Sequence, residues 1–174
     1  MLSGILGDGN FKKNGKYGYY YRESHAEDEI EYLYWKAKHL QPFLSKSKIR
    51  EINGKGFNKQ KMFELMTRTS ISFAKFAIMK KENVILNLDI RGLILFILDD
   101  GWINKKNVII SGGELTELQK KLLIDKFNEY GCSSIHLTKR GEFFFSSKDY
   151  NKIKEYTLSF LPQNLDIIIK KFQK

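Results

Sequence analysis

The chain of 174 residues is poor in the side chains that build cross-links and soft-metal sites. Its single cysteine, Cys132, excludes an intrachain disulfide and a zinc site made of several cysteines. The three histidines, His25, His39 and His136, are far apart in the sequence, which disfavours a histidine-rich metal site. A metal ion bound here would therefore use oxygen ligands, which are typical of a hard ion such as Mg2+.

Long apolar segments and linkers are also scarce. The longest apolar stretch, residues 92–98, is about a third of the roughly 20 residues that a membrane-spanning helix requires. Asp8 interrupts the first apolar run, so the start lacks a secretory signal pattern. We expect no membrane partner and an intracellular protein, and the abundance of Lys, Ile, Asn and Phe suits an AT-rich organellar or bacterial gene.

Positive charge, in contrast, is plentiful. The chain has 30 Lys and Arg against 20 Asp and Glu, which gives a formal charge of +10. Such a balance favours a polyanionic partner such as nucleic acid, and a solubilising basic surface is the alternative. The 42% hydrophobic content is ordinary for a globular domain with a core.

An apolar run that ends in Asp-Gly occurs twice. The first copy spans residues 2–9 and ends in Asp8 and glycine, and the second spans residues 93–101 and ends in Asp99, Asp100 and glycine. Glycine commonly follows the end of a helix, so the pattern predicts two buried helices that each deliver a carboxylate. For a single copy, an ordinary turn would be the simpler interpretation.

The sequence after each motif repeats in register. Ser24 and Thr116 each lie 16 residues after the motif aspartate, and each has Glu or Gln three residues later. This capping-box pattern predicts a helix start in both halves. The core faces of these helices are predicted to be Ile30, Leu33, Tyr34 and Ala37 in the first and Leu118, Leu122, Leu123 and Phe127 in the second.

Strand-like segments surround both capped helices and predict hairpins. The predicted strands include residues 17–22, 46–52, 59–68, 107–111, 133–138 and 142–146, and the predicted final helices are 72–80 and 149–161. The order is αββαββα, read twice. We therefore predict a single α+β domain, residues 1–174, made of two pseudo-symmetric repeats, 1–87 and 88–174.

A carboxylate at a helix C-terminus faces the negative end of the helix dipole, which costs about 0.3–1 kcal/mol. Two such helices side by side would add carboxylate repulsion, and a divalent cation would reverse both effects. The occurrence of the same residue at the same place in both halves therefore favours a metal site over two unrelated turns.

The two motifs resemble those of the LAGLIDADG homing endonucleases, in the two-motif, single-chain form that introns encode. The resemblance implies two antiparallel, saddle-shaped sheets with the motif helices at a central pseudo-twofold interface. It implies that Asp8 and Asp100 bind metal near a scissile phosphate, together with the backbone of Gly7 and Asp99. The Asp99 side chain is interpreted as a solvated or capping residue.

The resemblance also implies a basic residue after the last helix of each half, where it can stabilise phosphate charge. Lys81 and Lys170 are the candidates for this role. The alternative is that these lysines complement a helix C-terminus or are simply solvated.

The family's sheets lie in the major groove, which admits a two-stranded ribbon. Strand alternation and turn position give a candidate DNA-binding set: Lys12, Lys13, Lys16, Tyr19, Tyr21, Lys46, Lys48, Arg50, Lys59, Lys61, Lys105, Lys106, His136, Thr138, Lys139 and Arg140. For Tyr19 and Tyr21, packing in the core or at a sheet edge is the alternative interpretation.

The resemblance thus implies a monomeric, site-specific double-strand DNA endonuclease that uses Mg2+. Mn2+ is expected to substitute for Mg2+, and Ca2+ is expected to bind without cleavage. The protein would act in a mitochondrion or chloroplast if its intron is organellar, and otherwise in the bacterial cytoplasm. An RNA-binding intron maturase, or another non-cleaving protein of the same fold with intron RNA as partner, is the alternative, and a basic structural protein is a further one.

Overall fold

The computed structural model describes residues 1–53, 61–162 and 165, and within this part the side chains of residues 46–48 are not described. Lys59 and Lys170 lie outside the described residues, as do the side chains of Lys46 and Lys48. The chain divides into two compact units, Met1 with Ser3–Met79 and Leu2 with Lys80–Lys174. The repeat boundary after residue 87 remains a prediction. No helix in the described part is both long and apolar enough to span a membrane.

The first unit contains one copy of the predicted αββαββα order. Its strands pair into an antiparallel sheet with the order β1-β2-β4-β3. Its elements are α1 (Leu2–Leu6), β1 (Gly9–Asn14), β2 (Gly18–Ala26), α2 (Ile30–His39), β3 (Leu44–Asn53), β4 (Lys61–Thr67) and α3 (Ala74–Ala77).

The second unit begins with an additional short helix, α4 (Lys81–Leu86), and then repeats the same order. Its antiparallel sheet has the order β5-β6-β8-β7, the same topology as in the first unit. Its other elements are α5 (Ile90–Asp100), β5 (Gly101–Asn104), β6 (Asn107–Ile110), α6 (Glu117–Glu129), β7 (Ile135–Leu137), β8 (Phe143–Phe145) and α7 (Ser147–Phe160). The predicted fold class, with two antiparallel sheets, is confirmed.

Each sheet buries one face against helices. In the first unit, Leu65 packs with Leu33 and Ala37 of α2. In the second, the Phe145 ring of β8 lies edge-on to Phe127 of α6, with 4.9 Å between the centroids. Because successive strand residues point to opposite faces, this packing decides which residues lie on the other face of each sheet.

The capping-box prediction is confirmed for one repeat and wrong for the other. Thr116 and Gln119 form both reciprocal bonds at the start of α6. Ser24 instead lies inside β2, where it pairs with Glu64 of β4. Strand pairing outweighs the local helix-start pattern here, and α2 begins at Ile30 without a side-chain cap.

The predicted helix faces also need correction. In α2 the buried residues are Tyr32, Leu33, Lys36 and Ala37, whereas Tyr34 is exposed. In α6, Leu123 and Phe127 are buried as predicted and Leu118 is exposed. The final helix predicted over residues 72–80 is shorter, since α3 ends at Ala77. The other final helix is confirmed as α7.

Candidate functional site

Asp8 follows the first motif helix directly. The helix α1 is a single turn that ends at Leu6, and Gly7 caps it through its backbone N–H on the Ser3 carbonyl. Asp8 occupies the turn before β1, where its side chain is 39% exposed. The first motif therefore presents its carboxylate in a turn that solvent reaches.

A close approach between backbone and side chain fixes this turn. A Cβ atom at Gly4 or at Gly9 would collide with the phenol of Tyr21, which is fully buried. Glycine is therefore required at both positions so that the tyrosine can lie against the motif. The prediction that Tyr21 contacts DNA is wrong, because its side chain is part of the core.

Asp100 is the last residue of the second motif helix. Asp89 starts α5 by accepting a hydrogen bond from the Gly92 N–H at 2.8 Å, and the chain enters β5 at Gly101. The middle of the helix is buried, whereas Asp99 and Asp100 are half-buried. The Oδ2 atom of Asp99 is buried, so this side chain is only partly solvated, and its interpretation as a solvated or capping residue stays a prediction.

A buried ionic cluster lies beside Asp8 in the first unit. It consists of Glu23 and His25 on β2 and Lys36 on α2, all nearly inaccessible to solvent. The Lys36 Nζ lies 3.2 Å from Glu23 Oε1, and His25 Nε2 lies 3.6 Å from the same oxygen. Tyr21 donates its phenolic hydrogen to the other Glu23 oxygen. A buried charge of this kind is stable only with such partners.

The imidazole of His25 connects this cluster to the first motif. Its Nδ1 atom lies 3.0 Å from Glu29 Oε2 and 3.9 Å from Asp8 Oδ2. The ring also stands edge-on to Tyr32, whose face receives the Lys36 ammonium at 4.4 Å. The motif carboxylate therefore lies within ion-pair distance of an imidazole that is itself paired with Glu23 and Glu29.

The pKa values in the cluster follow from burial and pairing. Burial alone would raise the pKa of Glu23, but Lys36, His25 and Tyr21 outweigh it and lower this pKa to about 2. Burial alone would lower the pKa of His25, but the bonds to Glu23 and Glu29 raise it to about 9. At neutral pH, Glu23 is ionised and His25 is protonated.

These pKa values predict that the free energy of unfolding is largest at mildly acidic pH. The measurement is unfolding in urea as a function of pH, in the presence of EDTA. The Glu23 pKa is lowered, so the contribution of Glu23 to the free energy of unfolding is complete above about pH 4.5 and is lost as the pH falls towards about 2. The His25 pKa is raised, so the contribution of His25 to the free energy of unfolding is complete below about pH 6.5 and is lost as the pH rises through about 9. A His25→Gln variant should lose the alkaline dependence, and equal stability of the natural protein at pH 6.5 and pH 9.5 would contradict the assignment.

The face of the first sheet that points away from α2 carries polar and charged side chains, and we call it the first open face. Its members are Asn10, Lys12, Tyr20, Arg22, Ser24, Arg50, Ile52, Met62, Glu64 and Met66. Arg22 and Arg50 flank Glu64 from the neighbouring strands β2 and β3. This face includes two of the residues predicted to bind DNA, Lys12 and Arg50.

Other predicted DNA-binding residues of this sheet lie elsewhere. Tyr19 shares the helix-packed face with Tyr21, and Tyr20 is the tyrosine that shares a face with Arg22. Lys61 also lies on the face opposite Arg50, and its Nζ is 3.1 Å from Glu51 Oε2. Glu51 raises the pKa of this lysine. Lys13 is exposed near the end of β1, and Lys16 is exposed in the following turn.

The corresponding face of the second sheet has a different chemistry. The register places Trp102, Ile109, Phe144 and His136 in one row across all four strands, and we call it the second open face. Trp102 and His136 are exposed, and the rings of His136 and Phe144 lie 5.0 Å apart. Apolar side chains of this kind can contact thymine methyl groups in a major groove.

The remaining predicted basic residues of the second unit lie in turns. Lys105 and Lys106 form the exposed β5–β6 turn, and Lys139 and Arg140 are exposed in the β7–β8 turn. The Thr138 hydroxyl accepts hydrogen bonds from the N–H groups of Arg140 and Glu142, so it holds this second turn together.

Lys81 is half-buried and is the first residue of α4. A lysine at a helix N-terminus faces the positive end of that helix's dipole, so Lys81 does not complement α4, and its role at a phosphate stays a prediction.

Comparisons with known proteins agree with this arrangement of elements. A family model described as the LAGLIDADG DNA endonuclease family matches residues 1–142. No curated protein matches the sequence. The homing endonuclease I-WcaI bound to its DNA recognition sequence is similar in structure, with a TM-score of 0.75 and 18% identity over 95% of this chain and 82% of that chain. I-DmoI in complex with DNA and Mn has a TM-score of 0.55 and 21% identity over 92% and 95% of the two chains. I-DmoI in complex with DNA and Ca has a TM-score of 0.58 and 22% identity, over 97% of this chain and 94% of that chain.

Proposed function

The chain belongs to the LAGLIDADG DNA endonuclease family, and from this premise we propose that it is a homing endonuclease that cuts both strands of a long duplex DNA target. The observation that carries the proposal is the family match over residues 1–142, which includes both motifs, together with an aspartate at the end of each. Among the similar solved structures, I-WcaI is bound to its DNA recognition sequence, and I-DmoI is in complex with DNA and Mn, with DNA and Ca, or, as a variant, with its target DNA in the presence of Mg. The basic composition and the charged first open face support DNA as the partner.

The donor atoms at the motif ends fit a hard divalent ion. Asp8 and Asp100 offer carboxylate oxygens, and Gly7 and Asp99 precede them with backbone carbonyls. Oxygen ligands of this kind suit Mg2+, Mn2+ and Ca2+. When bound, such an ion lowers the pKa of a water molecule and stabilises the leaving oxygen of a phosphodiester.

The residues of the chain would then position the metal ion and the phosphate. Asp8 lies 3.9 Å from His25 Nδ1, and Asp100 ends a helix whose dipole disfavours its charge until a cation neutralises it. Lys81 would stabilise the charge that develops on the phosphate. We further propose Mg2+ as the natural metal, a monomer as the active form, and action inside an organelle or a bacterial cell.

Selection of cleaved sites from a random duplex library in Mg2+ tests this function. We expect a single family of long sites to be enriched and cut on both strands in Mg2+ or Mn2+, and bound without cleavage in Ca2+. Tighter binding to structured intron RNA than to any duplex, with no cleavage, would instead support the maturase alternative. Nucleic-acid binding without any divalent-ion effect would support a structural protein.

A further inference from the structure

Glu64 is a buried carboxylate in the middle of the first open face. Its neighbours Leu65 and Phe63 point to the helices, so Glu64 points to the other side of the sheet. It is nevertheless only 3% exposed, because the side chains of Arg22 and Arg50 cover it. A charge at such a position is ordinarily solvated, so this burial requires an explanation.

Both carboxylate oxygens of Glu64 are bonded to arginine. Arg22 Nη1 donates to Oε1 at 3.3 Å, and Arg50 donates to Oε2 from Nε at 2.8 Å and from Nη2 at 2.6 Å. The Nε group of Arg22 donates to Asn10 Oδ1 at 3.4 Å. Since Glu64 is enclosed and both of its oxygens already accept hydrogen bonds from arginine, a base does not reach it.

The two arginines, in contrast, remain accessible. Their side chains are 38% and 51% exposed, and the group of two arginines and one carboxylate keeps a net positive charge. A guanidinium has five N–H donors, and two on each arginine are engaged in these described bonds. Glu64 occupies the Nε edge of Arg50, and among the described residues the edge between its two Nη groups contacts no further partner, so it can accept one.

We propose that Arg22 and Arg50 each read a guanine in the DNA target, and that Glu64 is the positioning residue that orients them. This inference rests on the proposed function. Arginine contacts guanine O6 and N7 through two parallel N–H groups, and this contact requires a fixed orientation of the guanidinium. An arginine without such a fixed orientation binds phosphate equally well, which positions a protein without reading sequence.

The shared carboxylate also limits where these guanines lie. Both guanidinium groups contact one carboxylate, so they reach base edges within roughly two to three base-pair steps of each other, at about 3.4 Å a step. The two guanines should therefore be close together in the half-site read by the first sheet.

Binding selection from a random duplex library in Ca2+ tests the proposal, because it requires no cleavage. The natural protein should enrich two neighbouring guanines. Arg22→Lys and Arg50→Lys should each reduce the preference for one of them by roughly 5- to 150-fold, since lysine cannot make the paired contact. Glu64→Gln should weaken both preferences together.

The matched control is Glu51→Gln, which removes a neighbouring carboxylate of β3 that pairs with Lys61 on the other face. It should leave both guanine preferences unchanged. A merely structural role of Glu64 would reduce the folded fraction and lower binding to every sequence alike, so the base preference separates the two roles. If Glu64→Gln does not fold, the two lysine variants decide the assignment.

The outcomes distinguish this inference from the proposed function. If the natural protein cuts its selected duplex but enriches no neighbouring guanines, or if Glu64→Gln retains both preferences, the inference is overturned and the endonuclease function stands. If the natural protein selects no duplex and cuts none in Mg2+, both are overturned.

Discussion

Asp100→Asn is expected to abolish DNA cleavage while leaving DNA binding intact. The substitution keeps the size of the side chain at the end of α5 but removes the charge that a divalent ion requires. Loss of a residue that only supports a metal ligand typically lowers metal affinity or activity by about 10- to 100-fold. Loss of a ligand itself should therefore lower the cleavage rate by more than about 100-fold. The measurement is single-turnover cleavage of the selected duplex in Mg2+, with binding measured in Ca2+.

Asp8→Asn should have the same effect, since Asp8 ends the other motif. The matched control is Asp125→Asn, which neutralises an exposed carboxylate on α6 outside the candidate site. This control should cut at the natural rate. If either motif variant cleaved DNA at the rate of the natural protein, its aspartate would be an ordinary turn residue and not a metal ligand.

Lys36→Met is expected to give the largest loss of stability. It removes the ammonium 3.2 Å from Glu23 Oε1 and leaves a buried carboxylate with fewer partners. Breaking a buried ion pair by removing one partner costs about 3–5 kcal/mol. The measurement is the free energy of unfolding in urea at pH 6.

Lys38→Met is the matched control, because Lys38 is exposed near the end of the same helix. Its effect should lie within about 0.5 kcal/mol. A loss below about 1 kcal/mol in Lys36→Met would mean that His25 and Tyr21 compensate the Glu23 charge without the lysine.

Several elements could be predicted because their patterns are local. The helix that ends at Asp100 has an unbroken apolar centre, and Thr116 with Gln119 carries a complete capping box at the start of α6. The hairpins follow from turn residues between alternating segments. The repeat of these patterns gave the αββαββα order in both units.

The ionic cluster could not be predicted from strand alternation. Polar residues occur on both faces of β2, so the pattern does not reveal that Glu23 and His25 are the buried ones. A usable indication was present in α2, where Lys36 lies three and four residues after the buried Leu33 and Tyr32. A lysine on a core-facing stripe implies a buried carboxylate partner.

The arrangement around Glu64 depends on long-range register. Arg22, Arg50 and Glu64 belong to three strands, and only the pairing of β4 with both neighbours brings them together. An irregularity between Leu44 and Ile49 shifts the register of β3, so counting along the sequence cannot assign its faces. The position of Lys61 on the face opposite Arg50 likewise follows only from the pairing of β3 with β4.

We propose that one aspartate from each motif supports metal-dependent cutting of both DNA strands. The most direct measurement of this claim is digestion of a plasmid carrying the selected site, in Mg2+, by the natural protein and by the Asp8→Asn, Asp100→Asn double variant. We predict linear plasmid with the natural protein and intact supercoiled plasmid with the double variant, although both bind the site in Ca2+. Complete linearisation by the purified double variant would contradict the claim.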